Sequence, residues 1–349
     1  MTDQKNISRR SLLKTGGGIV AASALGGAVQ LILPTEAHAA AKVVVKYDWL
    51  MSNGQIGDIV AAQKGFYSDA GLEVEFAPGG PNSSTVPPVI SGAAAMGQFS
   101  ETAQLFNARA GGVPVKILAC GFRTGPYAFT SKPDKPLRTI DDLRNVRIGI
   151  QPTARFIIDA IAAANDIPLD ELQITSVGFD KGPLVNGDVD AIGGWITNTQ
   201  ALSVVGDDRI DTLVSDLGLP AYALVYFATD DAIENNAEQL AAFIGATAKG
   251  WEFVHANPTE AVQIMVDATD GLDLEWEQKT IDLVLSLSFD ENTAAGGWGV
   301  FDPANLEQQL ALYDIIGQYS GGRPSLEDVH TTKILEMTAD QRPKLGAPG

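Results

Sequence analysis

A chain of 349 residues, 45% hydrophobic and 19% charged, holds enough apolar material for sizeable cores and enough length for two domains, which excludes a disordered chain. Its 24 Lys and Arg against 43 Asp and Glu leave a net charge of -19, a surface that repels nucleic-acid phosphates and anionic membranes alike. The single cysteine, Cys120, excludes an intramolecular disulfide and a cysteine-ligated metal centre within one chain, and three histidines leave little for a histidine one.

Residues 1–39 read as an export signal. Ser8-Arg9-Arg10-Ser11-Leu12-Leu13-Lys14 is similar to the twin-arginine consensus, a weakly apolar stretch runs from Gly16 to Leu33, and Ala37-His38-Ala39 is a small-x-small cleavage pattern. The mature chain then starts at Ala40, in the bacterial periplasm. From there strands and helices alternate, as in α/β folds with largely parallel sheets. Val43–Val45 with Tyr47 predicts a strand. A helix follows from Ile56 to Gln63, stopped by Lys64-Gly65. Leu72–Phe76 alternates as a strand, a Gly-rich loop at 79–84 feeds a helix through Ile90, and Ala95–Phe99 is a third strand. The helix Thr102–Ala110 and the strand Val115–Ala119 complete a first block.

The pattern restarts with strands at Tyr127–Thr130, Val146–Ile150, Ile174–Val177 and Val189–Ile192. Between them lie a short helix capped by Thr139 and an apolar helix from Phe156 to Asn165. Leu213-Val214 and Leu224–Phe227 are read as closing this second block. The remainder is mostly helical, with segments 240–255, 258–266, 276–287 and 304–317. Returning the last third to the first block gives two lobes, residues 40–124 with 227–349 and residues 125–226, joined by crossovers near Gly125 and Tyr226. A cleft between such lobes is a preferred ligand site, and the crossovers are its hinge.

Several segments are similar to the type II periplasmic solute-binding proteins of ABC transporters, in the group that binds thiamine-pyrimidine precursors, sulfonates and nitrate. Asp48-Trp49 with Asn53, Gln55 and Gly57 resembles their opening strand and loop, although Ile56 stands where a histidine often follows. Lys64-Gly65-Phe66-Tyr67 with Ala70–Val74, Val89–Ala93 with Gly97, and Ala108–Ala110 with Val113–Val115 resemble successive family steps. So do Val189-Asp190-Ala191 with Trp195 and Thr197-Asn198, and Asn257-Pro258 with Glu260-Ala261. The resemblance implies a two-lobed α/β fold of the type II periplasmic-binding class, a ligand cleft between hinged lobes, and loops at strand C-termini as the contacts. Strand ends and helix N-termini offer free N–H groups in the same place.

Each candidate contact also has a structural alternative. Trp49 is a stacking surface or core packing. Asn53 and Gln55 donate and accept together, or serve turns. Asn82 and Ser83 open a helix from a Gly-rich loop without phosphate-loop spacing. Ser100 and Glu101 follow the third strand, where Glu101 either accepts from a ligand amino group or favours a helix N-terminus. Thr153 is a cap or a contact. Arg155 and Arg123 make the ligand anionic if both face the cleft and favour a neutral ring if both face solvent. Trp195 forms an aromatic wall opposite Trp49, Asn198 follows it, and Tyr127 and Tyr222 flank the crossovers. The expected function is capture of a pyrimidine-like or other heteroaromatic solute and its delivery to a permease subunit. The protein is expected to be a monomer without cofactor, metal or nucleic acid. The alternatives are an anionic solute such as a sulfonate, carboxylate or nitrate, a periplasmic sensor for a receptor, and a pyrimidine-synthase-like enzyme.

Overall fold

The computed structural model describes residues 40–80 and 83–348; the export signal read at 1–39 and the candidate Asn82 lie outside the described residues. Within them the chain forms strands β1 (Ala41–Tyr47), β2 (Leu72–Ala77), β3 (Met96–Glu101) and β4 (Val115–Phe122), then β5 (Tyr127–Ser131) and β6 (Arg147–Ile150). β7 (Gln173–Ser176), β8 (Ala191–Trp195), β9 (Ile210–Leu213) and β10 (Ala223–Thr229) follow. They build two five-stranded sheets, ordered β2-β1-β3-β10-β4 and β7-β6-β8-β5-β9. In the first, β1 runs parallel to β2 and β3 while β10 is antiparallel to β3 and β4. The second repeats the plan, with β6 parallel to β7 and β8 and β5 antiparallel to β8 and β9.

The sequence dictates these strands through short apolar runs, β-branched in β1. In β1, Val43, Val45 and Tyr47 alternate onto a buried face. One assignment is corrected. The strand read at Leu224–Phe227 as closing the second block sits in the first sheet, wedged between β3 and β4. Its residues are buried along nearly the whole length, which a central strand requires and an edge strand does not. β4 lies at the edge of that sheet, yet it is buried too. Its unpaired groups are covered by the C-terminal region. The Cys120 N–H donates to Gly299 O (3.0 Å) and the Thr331 N–H to Ile117 O (3.1 Å).

The helix Ala237–Ala256 packs across the first sheet against the helix Ile56–Gln63. The approach is close enough to need glycine. A Cβ on Gly250 would stand 2.0 Å from the Gly57 carbonyl oxygen, and one on Gly57 would strike the Trp251 ring at 2.3 Å. Beneath this contact Asp58 is fully buried, accepting hydrogen bonds from the hydroxyls of Tyr47 (3.1 Å) and Tyr226 (2.7 Å). Burial pushes its carboxyl up to about 7 despite those two bonds.

The two chain passages between the sheets, 123–126 and 214–222, touch each other. The Gly125 N–H donates to Ala221 O at 2.8 Å. Arg123 in one passage places its guanidinium over the ring of Tyr222 in the other, 4.9 Å from the centroid.

Candidate functional site

A cavity of about 1080 Å³ opens between the sheets, lined from both. That is the upper end of the volume a small-molecule site needs. On the first-sheet side, Asp48 follows β1 and accepts hydrogen bonds from the Ser100 N–H (2.8 Å), the Ser100 hydroxyl (2.9 Å) and the Gln104 amide (2.9 Å). These bonds tie the ends of β1 and β3 together. Burial raises the Asp48 pKa and the hydrogen bonds hold part of the rise back. The next residue, Trp49, is fixed through its backbone, its carbonyl accepting from the Gly79 N–H at 2.8 Å, while its side chain stays 42% exposed on the cavity wall. A Cβ on Gly79 would lie 2.3 Å from the Asp48 backbone, so this contact too requires glycine. Gln55 accepts from the Ser52 N–H (3.0 Å) and donates to Gln98 (2.8 Å), which fixes its amide at the cavity floor.

Glu101 ends β3 on the same wall. Burial raises its carboxyl to about 7, the charge on Asp48 adds to the rise, and the Trp195 indole N–H pulls it partly back. Glu101 and Trp195 belong to different sheets, so this influence reaches from one cavity wall to the other. Opposite, Tyr127 pairs with Trp195 across β5 and β8 and donates its hydroxyl to Gln151 (3.1 Å). The Gln151 amide in turn donates to Gly178 O (3.0 Å) and Gly193 O (3.2 Å), which locks that floor. Thr153, at the turn into the helix Arg155–Ala164, and Asn198, just after β8, complete the wall. Aromatic faces beside fixed amide, hydroxyl and carboxyl groups can hold a flat polar ring by stacking and edge hydrogen bonds.

Trp49, Gln55, Ser100, Glu101, Tyr127, Thr153, Trp195 and Asn198, all singled out in the sequence, therefore line one cavity. Five others are placed elsewhere. Asn53 is buried, donating to Thr197 O (3.3 Å) and Glu277 (3.0 Å) as a tie between segments. Ser83 is exposed, its backbone N–H bonded to Gly80 O. Arg123 is buried against Asp290 (3.0 Å) and Val300 O (2.7 Å). Tyr222 lies under that guanidinium and accepts from the Asp302 N–H (2.8 Å). Arg155 is half exposed and pairs with Asp159 one helical turn on (2.8 Å). The two arginines thus meet neither the cavity nor each other. Lys181, Phe179 and the segment 268–272 line the cavity and were missed. Phe179 and Lys181 follow β7, so their position after a strand was the available signal.

Residues 53–261 match the family described as NMT1/THI5 like, more than half of the sequence. The chain belongs to the NMT1/THI5-like family. Among curated proteins it is 25% identical over 266 residues to the formylaminopyrimidine-binding protein of Halalkalibacterium halodurans, covering 73% of this chain and 80% of that one. It is 29% identical over 264 residues to the riboflavin-binding protein RibY of Chloroflexus aurantiacus, covering 70% and 72%. The periplasmic aliphatic sulphonate binding protein SsuA of Escherichia coli superposes with a TM-score of 0.63 at 12% identity, covering 84% of this chain and 99% of that one. That likeness carries the fold, which is the two-lobed periplasmic-binding fold expected from the sequence. The NMT1/THI5-like membership bears out the resemblance read in its motifs.

Proposed function

We propose that this NMT1/THI5-like protein is the periplasmic substrate-binding protein of an ABC importer, capturing a pyrimidine-like or other heteroaromatic solute between two lobes and passing it to the permease subunit. The observation that carries the reading is the composition of the cavity. Trp49 comes from one sheet and Trp195 with Tyr127 from the other, and Gln55, Glu101, Thr153 and Asn198 supply polar groups from both sides. A ligand that touches both walls prefers the closed arrangement, which couples binding to hinge closure. The named specificities of the pyrimidine- and riboflavin-binding relatives, both for flat heteroaromatic rings, support the same choice. The lobes read from the sequence, 40–124 with 227–349 and 125–226, are redrawn with the second boundary at about residue 222, because β10 starts at Ala223 in the first sheet. Export by the twin-arginine route rests on Ser8–Lys14, and the protein acts as a monomer.

The test is a thermal-shift screen of residues 40–349 against pyrimidines, flavins, sulfonates, aromatic acids and nitrate. A ligand present at about 100 times its dissociation constant stabilises by roughly 2.7 kcal/mol. A shift with flat heteroaromatic rings is the expected result. Shifts confined to aliphatic sulfonates or nitrate would overturn the ring reading.

A further inference from the structure

Lys181 is the one cation among the described residues that line the cavity. It is 8% exposed, and among the described residues no hydrogen bond or ion pair reaches its amino group. The two carboxylates whose charge is felt there make their hydrogen bonds to other groups. Asp180 accepts from the Gly182 N–H (3.0 Å), and Asp211 accepts from the Thr130 hydroxyl (2.5 Å) and Arg209 (3.1 Å). A lysine with a long flexible stem normally carries its charge out to water. This one lies along Gly194, itself a cavity residue, where a Cβ would come within 2.8 Å of the ammonium nitrogen. The missing side chain at Gly194 is what admits the charge to the cavity wall.

Two carboxylates act on this ammonium only from a distance, and a largely buried ammonium with no directly bonded partner works against folding. Burial also lowers the Lys181 pKa from the usual lysine value. Such an arrangement becomes favourable when an anion completes it. Arg123 and Arg155, the residues read from the sequence as anion contacts, are held away from the cavity, so any anionic group on a solute has Lys181 to meet. We infer that Lys181 makes the cleft selective for heteroaromatic acids, its ammonium pairing with a carboxylate or other anionic oxygen carried by the ring. The inference rests on the solute-binding reading above and narrows its substrate class. On the opposite wall Glu101 accepts from ring N–H groups, so the solute presents an acceptor to one sheet and donors to the other.

The experiment compares matched acids and amides, orotate with orotamide and nicotinate with nicotinamide, by calorimetric titration of the wild type, Lys181→Met and Lys181→Arg. At least one acid binds the wild type tenfold or more tightly than its amide. Lys181→Met brings that ratio close to one, and Lys181→Arg keeps most of it. Without ligand, Lys181→Met melts at or above the wild-type temperature, which also establishes that it folds. An acid-to-amide ratio near one in the wild type, or an unchanged ratio in Lys181→Met, overturns the inference and leaves the solute-binding reading standing. A lower melting temperature for unliganded Lys181→Met overturns it too, because the ammonium would then be paired within the protein. Failure of every ring, acid and amide alike, to bind the wild type overturns the heteroaromatic reading and this inference with it.

Discussion

Glu101→Gln is the substitution that separates a ligand-facing carboxylate from a helix-capping one. With its carboxyl at about 7, Glu101 is mostly protonated at pH 6 and mostly ionised at pH 8. A solute that donates a ring N–H or amino group to this residue binds the ionised form. Each pH unit below 7 then costs about 1.4 kcal/mol of binding, the free energy of removing the proton first. Between pH 8 and pH 6 the dissociation constant rises roughly tenfold. Glutamine keeps an acceptor and has no proton to remove, so Glu101→Gln binds with a nearly flat profile. The unliganded protein gives the opposite sign. A carboxyl whose folded pKa is raised favours folding below its unfolded value, near 4.3, and that contribution is lost as pH rises through 7. Glu101→Gln therefore melts above the wild type at pH 8 and close to it at pH 4.5. Fluorescence titration with cytosine, a ring amine that does not titrate in this range, reads the binding profile through Trp49 and Trp195. A flat wild-type profile between pH 6 and 8, or a slope retained in Glu101→Gln, would refute the assignment.

Two further substitutions probe the frame around the cleft. Asp58→Asn keeps the shape of a fully buried carboxyl that sits near 7 rather than near 4. Its stability relative to wild type is unchanged at pH 4 and grows by up to about 4 kcal/mol as pH rises to 8, read from denaturant unfolding across that range. A gap independent of pH would mean that Asp58 titrates normally. Arg123→Met removes the pair with Asp290 and the contact with Tyr222 at the hinge. It destabilises by roughly 2–4 kcal/mol while changing the dissociation constant less than about threefold. A large loss of affinity at unchanged melting temperature would restore Arg123 as a ligand contact.

The sheets were legible because their strands are short, largely apolar runs bounded by polar or glycine-containing loops, alternating in burial where one face meets solvent, as in Val43, Val45 and Tyr47. The cavity was legible for a related reason. Trp49, Glu101 and Trp195 stand at the ends of such runs, where side chains project past the sheet. The one- to two-turn helices Gly182–Val185, Thr199–Leu202, Glu291–Gly296 and Leu326–Val329 were not legible, since so few residues carry no helical period. β10 was assigned to the wrong block because sheet membership is decided by pairing partners far along the chain, not by local pattern. Arg123 misled for the same reason, its partner Asp290 lying 167 positions away. Lys181 was overlooked because what turns a surface-type residue inward is the empty space at Gly194, in strand β8.

The central claim is that a flat heteroaromatic solute occupies the space between the two sheets. A crystal structure of residues 40–349 with the tightest ligand from the screen tests it most directly. The account predicts a ring between Trp49 and Trp195, with donors toward Glu101. A ligand bound outside the cavity, or held without contact to either tryptophan or to Glu101, would contradict it.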